Sequence, residues 1–499
     1  MSETTLRQNT FDILPYDFVK ENQVIATKTS DGFEVISPNK ITPDLYHEIH
    51  KFLKNDFIFI SCDTEKFNEL LTNSFSVNNA SNDISEELSD EFDLQTFAGS
   101  ISATEDLLSG SNDTPIIKLI NGIISQAIKG RASDIHFEPY EDRIIVRFRV
   151  DGILREILSQ DSKISSVLIS RIKIISGLDI SERRLPQDGR VSLSLGDKSI
   201  DVRVSTLPSS YGERVVLRLL DKQSAQINIE DLGLPSKILE NYKSSLKNPE
   251  GIILFTGPTG SGKTTTLYAG LRFLSDSSQN ILTVEDPIEY TLRGIGQTQV
   301  NPKTGYTFAQ GLRAILRQDP DVVMVGEMRD VETAQIGIQA SLTGHLVLST
   351  VHTNSAIAAI TRLRDMGIES FLLASSLRTI ISQRLVRRLC LDCKQEAIIS
   401  NQEQKLFNLD SSQKVFRSIG CNSCSHTGYQ GRIAIAECVQ VDKKLKELIH
   451  NNASEDAIAN HVFNKNKSIN DASLELLING ITSCEELIRV GNLKEDGNI

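Results

Sequence analysis

Between the apolar run IILF and the helical stretch TTLYAGLRFL the chain reads GPTGSGKT, Gly257 to Thr264. This is the pattern G-x-x-x-x-G-K-[ST], placed where its chemistry requires, after a strand and before a helix. A strand feeding a tight loop and then a helix makes this part of the chain α/β. Gly257, Pro258, Thr259, Gly260, Ser261 and Gly262 form a loop whose amides can point inward at a phosphate, and the helix N-terminus adds positive partial charge. Lys263 supplies a point charge to the β and γ phosphates, and the Thr264 hydroxyl is the expected ligand of Mg²⁺. Such a motif arises by chance in about 2% of chains this long, so a plain glycine-rich turn is the poorer reading. The implied ligand is ATP with Mg²⁺.

Short continuous apolar runs follow: ILTV from Ile281, DVVMV from Asp321 and HLVLSTV from His345, separated by helical stretches. Continuous rather than alternating runs belong to strands buried on both faces, hence a mainly parallel sheet. Ligands of such sheets lie beyond the carboxyl ends of the strands. Glu327, closing DVVMVGE, is therefore the candidate base that activates the attacking water, the alternative being a surface carboxylate. Gly326 occupies the slot where an aspartate usually stands, so metal contact is expected through water. Glu285, Asp286 and Glu289 in VEDPIE reach the same predicted edge and could orient metal or water, although such a cluster can equally be a solvated loop. His345 and His352 flank HLVLST; near phosphate they would sense the γ group, and elsewhere a lone histidine is structural.

The chain has 499 residues, enough for about two to four domains. It contains no run of about 18 apolar residues and starts without the basic-then-apolar order of a signal peptide, so a cytoplasmic location is expected, with any membrane attachment peripheral. A net charge of -12 repels phosphate backbones, so no nucleic acid is expected as a partner. The strongest basic cluster, QRLVRR at Gln383 to Arg388, reads first as a solvated helix face.

Residues 1–75 form a small N-terminal module with a strand-like FIFIS at Phe57 to Ser61, and by elimination its role is to bind a partner. Residues 76–111 are polar and acidic and read as a flexible linker. Residues 112–225 read as an α+β domain. In it, alternating Ile144, Val146, Phe148 and Val150 lead to a hairpin turn at Asp151-Gly152, and a second hairpin turns at Gly196-Asp197. Residues 226–389 carry the phosphate loop and parallel sheet. Residues 425–499 form a mostly helical C-terminal region, with a capping box expected at Thr482 and Glu485.

Between these last two lies an insert at 390–424. Cys390-x-x-Cys393 and Cys421-x-x-Cys424 are knuckles separated by 27 residues. In a reducing compartment four such cysteines point to a closed, structural Zn²⁺ site rather than to disulfides; a redox CxxC is the rival, weakened because there are two pairs. Cys62, Cys438 and Cys484 stand alone and read as small buried apolar residues.

Taken together, LPYDFVK, RASDIHFEPYEDRIIVRFRVDG, SERRLPQDGR, VSTLPSSYGERVVLRLLDK, the phosphate loop, VEDPIEY, LRQDPDVVMVGEMRD, TGHLVLSTVHTN and the cysteine tetrad resemble the type II secretion ATPases, in that group's order and over nearly the whole chain. The resemblance implies a RecA-like P-loop domain preceded by a PAS-like α+β domain, the N-terminal module, a zinc-binding insert and a helical tail. It implies a homo-hexamer that hydrolyses ATP, docked through its N-terminal module on an inner-membrane platform protein, with an anionic membrane surface as a further candidate contact. Its turnover would drive a pilin-like filament that moves folded proteins outward. Arg203 and Arg218, which spacing alone places on a solvated strand face, would reach the γ-phosphate. Arg313 and Arg317, at i, i+4 in GLRAILRQ, would line the nucleotide interface. A type IV pilus assembly ATPase shares the motifs and is the nearest alternative. A nucleotide-binding scaffold whose hydrolysis is incidental is a third reading, and a nucleic-acid translocase a fourth.

Overall fold

In a computed structural model the described residues are 14, 18–19, 22–29, 32–40, 42–63, 66–67, 94 and 114–491, apart from 196–197, 222–226, 276–277 and 465. They belong to two compact units, 1–221 and 222–499.

The first unit opens with a small mixed sheet. Strand β1 (Ile25–Thr29) pairs antiparallel with β2 (Gly32–Ser37); helix α1 (Pro43–Leu53) then leads to β3 (Phe57–Ser61), parallel to β2. Thr42 caps α1 by accepting the Leu45 amide at 3.3 Å, and Pro43 suits the first turn, where no amide partner exists. LPYDFVK contributes Leu14 and Val19 to the core that Val35 and Ile49 complete. The expected FIFIS strand is β3; its Ile58, Phe59 and Ile60 face solvent.

Helix α2 (Thr114–Lys129) precedes a six-stranded antiparallel sheet ordered β6-β5-β4-β9-β8-β7. Its strands are β4 (Ala132–Pro139), β5 (Arg143–Val150), β6 (Ile153–Asp161), β7 (Gln187–Leu195), β8 (Lys198–Ser209) and β9 (Gly212–Asp221), with α3 (Ser165–Ile175) between β6 and β7. The alternation in β5 turns Ile144, Val146 and Phe148 onto a core shared with Leu119 and Ile123 of α2. Asp151 and Gly152 both take positive φ, 48° and 85°, as a two-residue hairpin demands. In the second hairpin Leu195 pairs with Lys198, while Gly196-Asp197 lies outside the described residues. Of the 76–111 stretch only Leu94 is described; rather than joining a solvated linker it is buried in this core.

The second unit is built on a seven-stranded sheet ordered β12-β11-β13-β14-β10-β15-β18. In chain order its parts are α4 (Ser236–Leu246), β10 (Gly251–Thr256), α5 (Lys263–Leu274), β11 (Ile281–Glu285), β12 (Gly296–Gln299), α6 (Phe308–Ile315) and β13 (Val322–Val325). Next come α7 (Val331–Leu342), β14 (Leu346–Val351), α8 (Ala356–Asp365), α9 (Ser370–Ser376) and β15 (Leu377–Leu389). The insert holds β16 (Gln395–Ile398), α10 (Asn401–Phe407) and β17 (Lys414–Arg417); β18 (Tyr429–Gln440) then returns antiparallel to β15, the one such pairing among the described strands of this sheet. Helices α11 (Lys443–His450), α12 (Glu455–Phe463), α13 (Ile469–Ile478) and α14 (Cys484–Val490) close the chain. All six residues of β10 and of β14 are buried, the two-sided burial that their continuous apolar runs imply.

Two sequence expectations need correcting. QRLVRR is no solvated helix face: it lies in β15, where Gln383, Arg384 and Arg387 are buried. Arg387 pairs with Glu486 at 2.7 Å and stacks 3.7 Å from the Tyr429 ring, so partners from distant elements make its burial tolerable. The capping box at Thr482 and Glu485 also gives way. Ser483 caps α14 by accepting the Glu486 amide at 3.2 Å, because Thr482 Oγ1 donates to the Arg387 carbonyl and Glu485 pairs with Arg417.

One buried carboxylate ties two helices to the sheet. Glu437 of β18 accepts the Ala356 amide at 2.7 Å and the Ile469 amide at 2.9 Å, the first-turn donors of α8 and α13. Burial raises its carboxyl above the usual range, and the two amides and Arg384 partly offset that cost. Glu437→Ala is expected to cost about 2 to 4 kcal/mol, since two buried amides lose their acceptor. Hydrogen exchange should show lost protection at the first turns of α8 and α13; unchanged protection there would contradict the assignment.

Candidate active site and metal centre

The phosphate loop leaves β10 at its carboxyl end and enters α5 at Gly262, whose φ of 88° closes the turn. Gly257 is required by crowding as well as by its φ of 143°, because a Cβ there would collide with the Gln383 carbonyl of neighbouring β15. Lys263 folds back over the loop, donating to the carbonyls of Gly257 at 2.7 Å and Pro258 at 3.0 Å. Burial pushes its ammonium down to about 8, and the carboxylate of Glu327 acts in the opposite direction. Ser261 Oγ is buried without a hydrogen-bond partner among the described residues. Such an orphaned donor fits a loop built to receive an external acceptor. Thr264 is exposed on the first turn of α5, so its hydroxyl is open to a metal.

Glu327 lies two residues past β13, on the same carboxyl edge. The segment holding it is fixed on both sides: the Gly326 amide donates to the Val284 carbonyl at 2.8 Å, and the Met328 amide to the Thr350 carbonyl at 2.9 Å. The Glu327 side chain is mostly buried, pairs with Arg329 and lies 3.5 Å from His352 Nε2. His352, following β14, thus lies on this edge beside Glu327.

His345 does not. It precedes β14, and its carbonyl accepts the amide of Gly251, at the start of β10. The 6 residues of β14 separate it from the phosphate edge, about 20 Å of strand. Its Nδ1 is engaged with the Ala340 carbonyl at 2.9 Å, a structural contact, so it does not reach this chain's phosphate edge.

The acidic cluster divides. Glu285 is buried and already engaged by Tyr268 Oη, by Thr283 Oγ1 at 2.6 Å and by Gln297 Nε2 at 3.0 Å. Those bonds fix β11 to α5 and β12 and leave it little freedom to orient a metal. Asp286 is exposed and acts on Arg329, the partner of Glu327, so it stays at the site. Arg313 and Arg317 are exposed; Arg313 pairs with Glu332 at 2.7 Å, and Arg317 donates to the Arg313 carbonyl at 2.9 Å. Glu332, the partner of Arg313, lies on the first turn of α7, whereas Arg317 follows the end of α6 and precedes β13. In the first unit Arg203 and Arg218 are direct partners across β8 and β9, and Arg218 Nε donates to Asp134 at 3.1 Å.

Sequence reasoning missed Gln383, whose carboxamide bridges the phosphate loop and α5. Nothing in its local pattern announces this, since the contact spans more than a hundred residues of chain.

The four cysteines converge. Their sulfurs all lie within 4.8 Å of one another, with Cys390–Cys421, Cys393–Cys424 and Cys421–Cys424 at 3.8 Å. Zn–S bonds of about 2.3 Å place tetrahedral sulfurs about 3.8 Å apart, whereas a disulfide needs about 2.05 Å. Amides of Gly420, Cys421 and Gly428 point at the sulfurs from 3.2 to 3.3 Å, as thiolate ligands require. The cluster can therefore hold a tetrahedral metal ion.

A RecA-like sheet with this loop and a carboxylate across from its lysine defines a P-loop ATPase. The family model described as "Type II/IV secretion system protein" matches residues 109–489, and a model of the N-terminal domain of "GSPII protein E" matches 13–75. "Type II secretion system ATPase E" of Vibrio cholerae serotype O1 is 50% identical over 486 residues, 96% of each chain. "Type II secretion system protein E" of Pseudomonas aeruginosa is 48% identical over 480 residues, again 96% of each. Among solved structures, the pilus retraction motor PilT with bound ADP superposes with a TM-score of 0.52 at 26% identity, covering 75% of this chain and 97% of its own. The chain belongs to the family of type II secretion ATPases.

The low-lying ammonium of Lys263 leads us to expect pH-dependent nucleotide binding. Polyphosphate favours the ammonium, so bound Lys263 titrates above its free value of about 8. Affinity for ADP should be level below pH ~7 and fall above pH ~8, by up to about tenfold per unit. Calorimetry at pH ~9 in buffers of different ionisation enthalpy should show proton uptake; affinity unchanged to pH ~9.5 would count against this environment for Lys263.

Proposed function

We propose that this chain is the cytoplasmic motor of a type II secretion system, a homo-hexamer whose ATP turnover drives pseudopilus assembly and protein export. The observation that carries it is the phosphate loop with Lys263 and Glu327 on one sheet edge, in a chain that matches proteins named for type II secretion over nearly all its length. In the proposed cycle the loop amides and Lys263 take the phosphates as the lysine leaves the Gly257 and Pro258 carbonyls. Thr264 would hold Mg²⁺, which neutralises phosphate charge when bound. Glu327, released from Arg329, orients and deprotonates the attacking water, with His352 and Asp286 in supporting positions. Arg203, Arg218, Arg313 and Arg317 are proposed to bring positive charge to the γ-phosphate or to the nucleotide interface in the working assembly.

No described helix is long and apolar enough to cross a membrane. Anchoring is therefore assigned to the N-terminal module, where the exposed apolar β3 suits a platform protein, with an anionic membrane surface nearby. A match to the secretion-type N-terminal domain favours this reading over the type IV pilus assembly ATPase.

Hydrolysis by wild type, Glu327→Gln and Lys263→Ala should be compared with and without the platform partner's cytoplasmic part and anionic lipid. Partner-stimulated turnover, reduced by about 10² or more in both variants, is expected; equal rates in all three would favour the scaffold. The cysteine cluster is proposed to hold structural Zn²⁺. Metal analysis should find one zinc per chain, and removing it with a thiol reagent should unfold the insert. Zinc-free protein with an unchanged melting profile would sink that assignment.

A further inference from the structure

Gln383 lies in the middle of β15 and is 3% exposed. Its Nε2 donates to the Ser261 carbonyl at 2.9 Å, while its Oε1 accepts from Thr266 Oγ1 at 2.8 Å. One carboxamide thus spans the last turn of the phosphate loop and the first turn of α5. A trans peptide directs its carbonyl and its N–H to opposite sides. Anchoring the Ser261 carbonyl against β15 therefore aims the Gly262 amide away from β15, into the concavity of the loop. The backbone of Gln383 crowds Gly257 at the loop's other end, so a single residue limits both ends.

We propose that Gln383 is the positioning residue of the phosphate loop: it presets the Ser261–Gly262 peptide so that the loop receives a polyphosphate without rearrangement. It touches no nucleotide itself. The inference rests on the phosphate-loop reading and extends it to a residue more than a hundred positions away.

The test uses the full chain as wild type, Gln383→Glu, Gln383→Met and Lys263→Ala. Gln383→Glu keeps the shape but sets an acceptor against the Ser261 carbonyl; Gln383→Met keeps the volume and removes both bonds. Measured are the Kd of MgADP, KM and kcat for ATP, and the melting midpoint without nucleotide. Both Gln383 variants are expected to raise Kd and KM together by about tenfold, with kcat at saturation changed less than about threefold. A purely structural residue would lower the midpoint and leave Kd unmoved, which would overturn the inference. If Lys263→Ala alone loses ADP, the Gln383 inference fails and the phosphate loop stands; if Lys263→Ala binds like wild type, the loop reading itself fails. Should both Gln383 variants misfold, Thr266→Val frees the other end of the carboxamide. A several-fold weaker Kd is then expected, and an unchanged Kd overturns the proposal.

Discussion

The close approach of β10 and β15 at the phosphate loop is the constraint on which the rest of the second unit depends. A loop that turns its amides inward leaves its carbonyls outside, and these need partners. Here the Ser261 carbonyl finds one on β15, and the carbonyls of Gly257 and Pro258 accept from the Lys263 ammonium. Gly257 is then dictated by the neighbouring strand, since no side chain fits beneath Gln383.

Several other buried polar groups are held in satisfied networks. Glu285 with Tyr268, Glu437 with two helix N-termini and Arg387 with Glu486 each have their partners, and each joins separate elements of the fold. Such networks fix one arrangement of the core, because breaking any of them leaves a buried charge or amide without compensation. At the phosphate loop Ser261 Oγ is buried with its hydrogen bond unmade among the described residues, as are Ser376 Oγ and Ser382 Oγ elsewhere in the second unit.

The insert is held on two sides. Its four sulfurs cluster at metal-binding distances, and Arg417 joins Glu403 of α10 to Glu485 of α14. The Lys394 ammonium also donates to the Gly480 carbonyl at 2.8 Å, so the insert is fastened to the terminal helices.

Local chemistry determined much of this in advance. The phosphate loop, the buried parallel strands, the Asp151-Gly152 hairpin and the cysteine knuckles are legible because each depends on residues adjacent in sequence, whose backbone angles or ligand spacing admit few alternatives. The strand order put Glu327 and His352 on the phosphate edge for the same reason: each ends an apolar run that can only be a buried strand. What the tertiary structure alone decided are matters of partnership. His345 lies at the wrong end of its strand, Glu285 is already engaged, QRLVRR is buried, and the cap of α14 moves to Ser483 because Thr482 is used by Arg387. Gln383 belongs with these. Burial of a polar or charged group is settled by what lies opposite it, and that partner comes from a distant part of the chain, brought near only when the sheet closes.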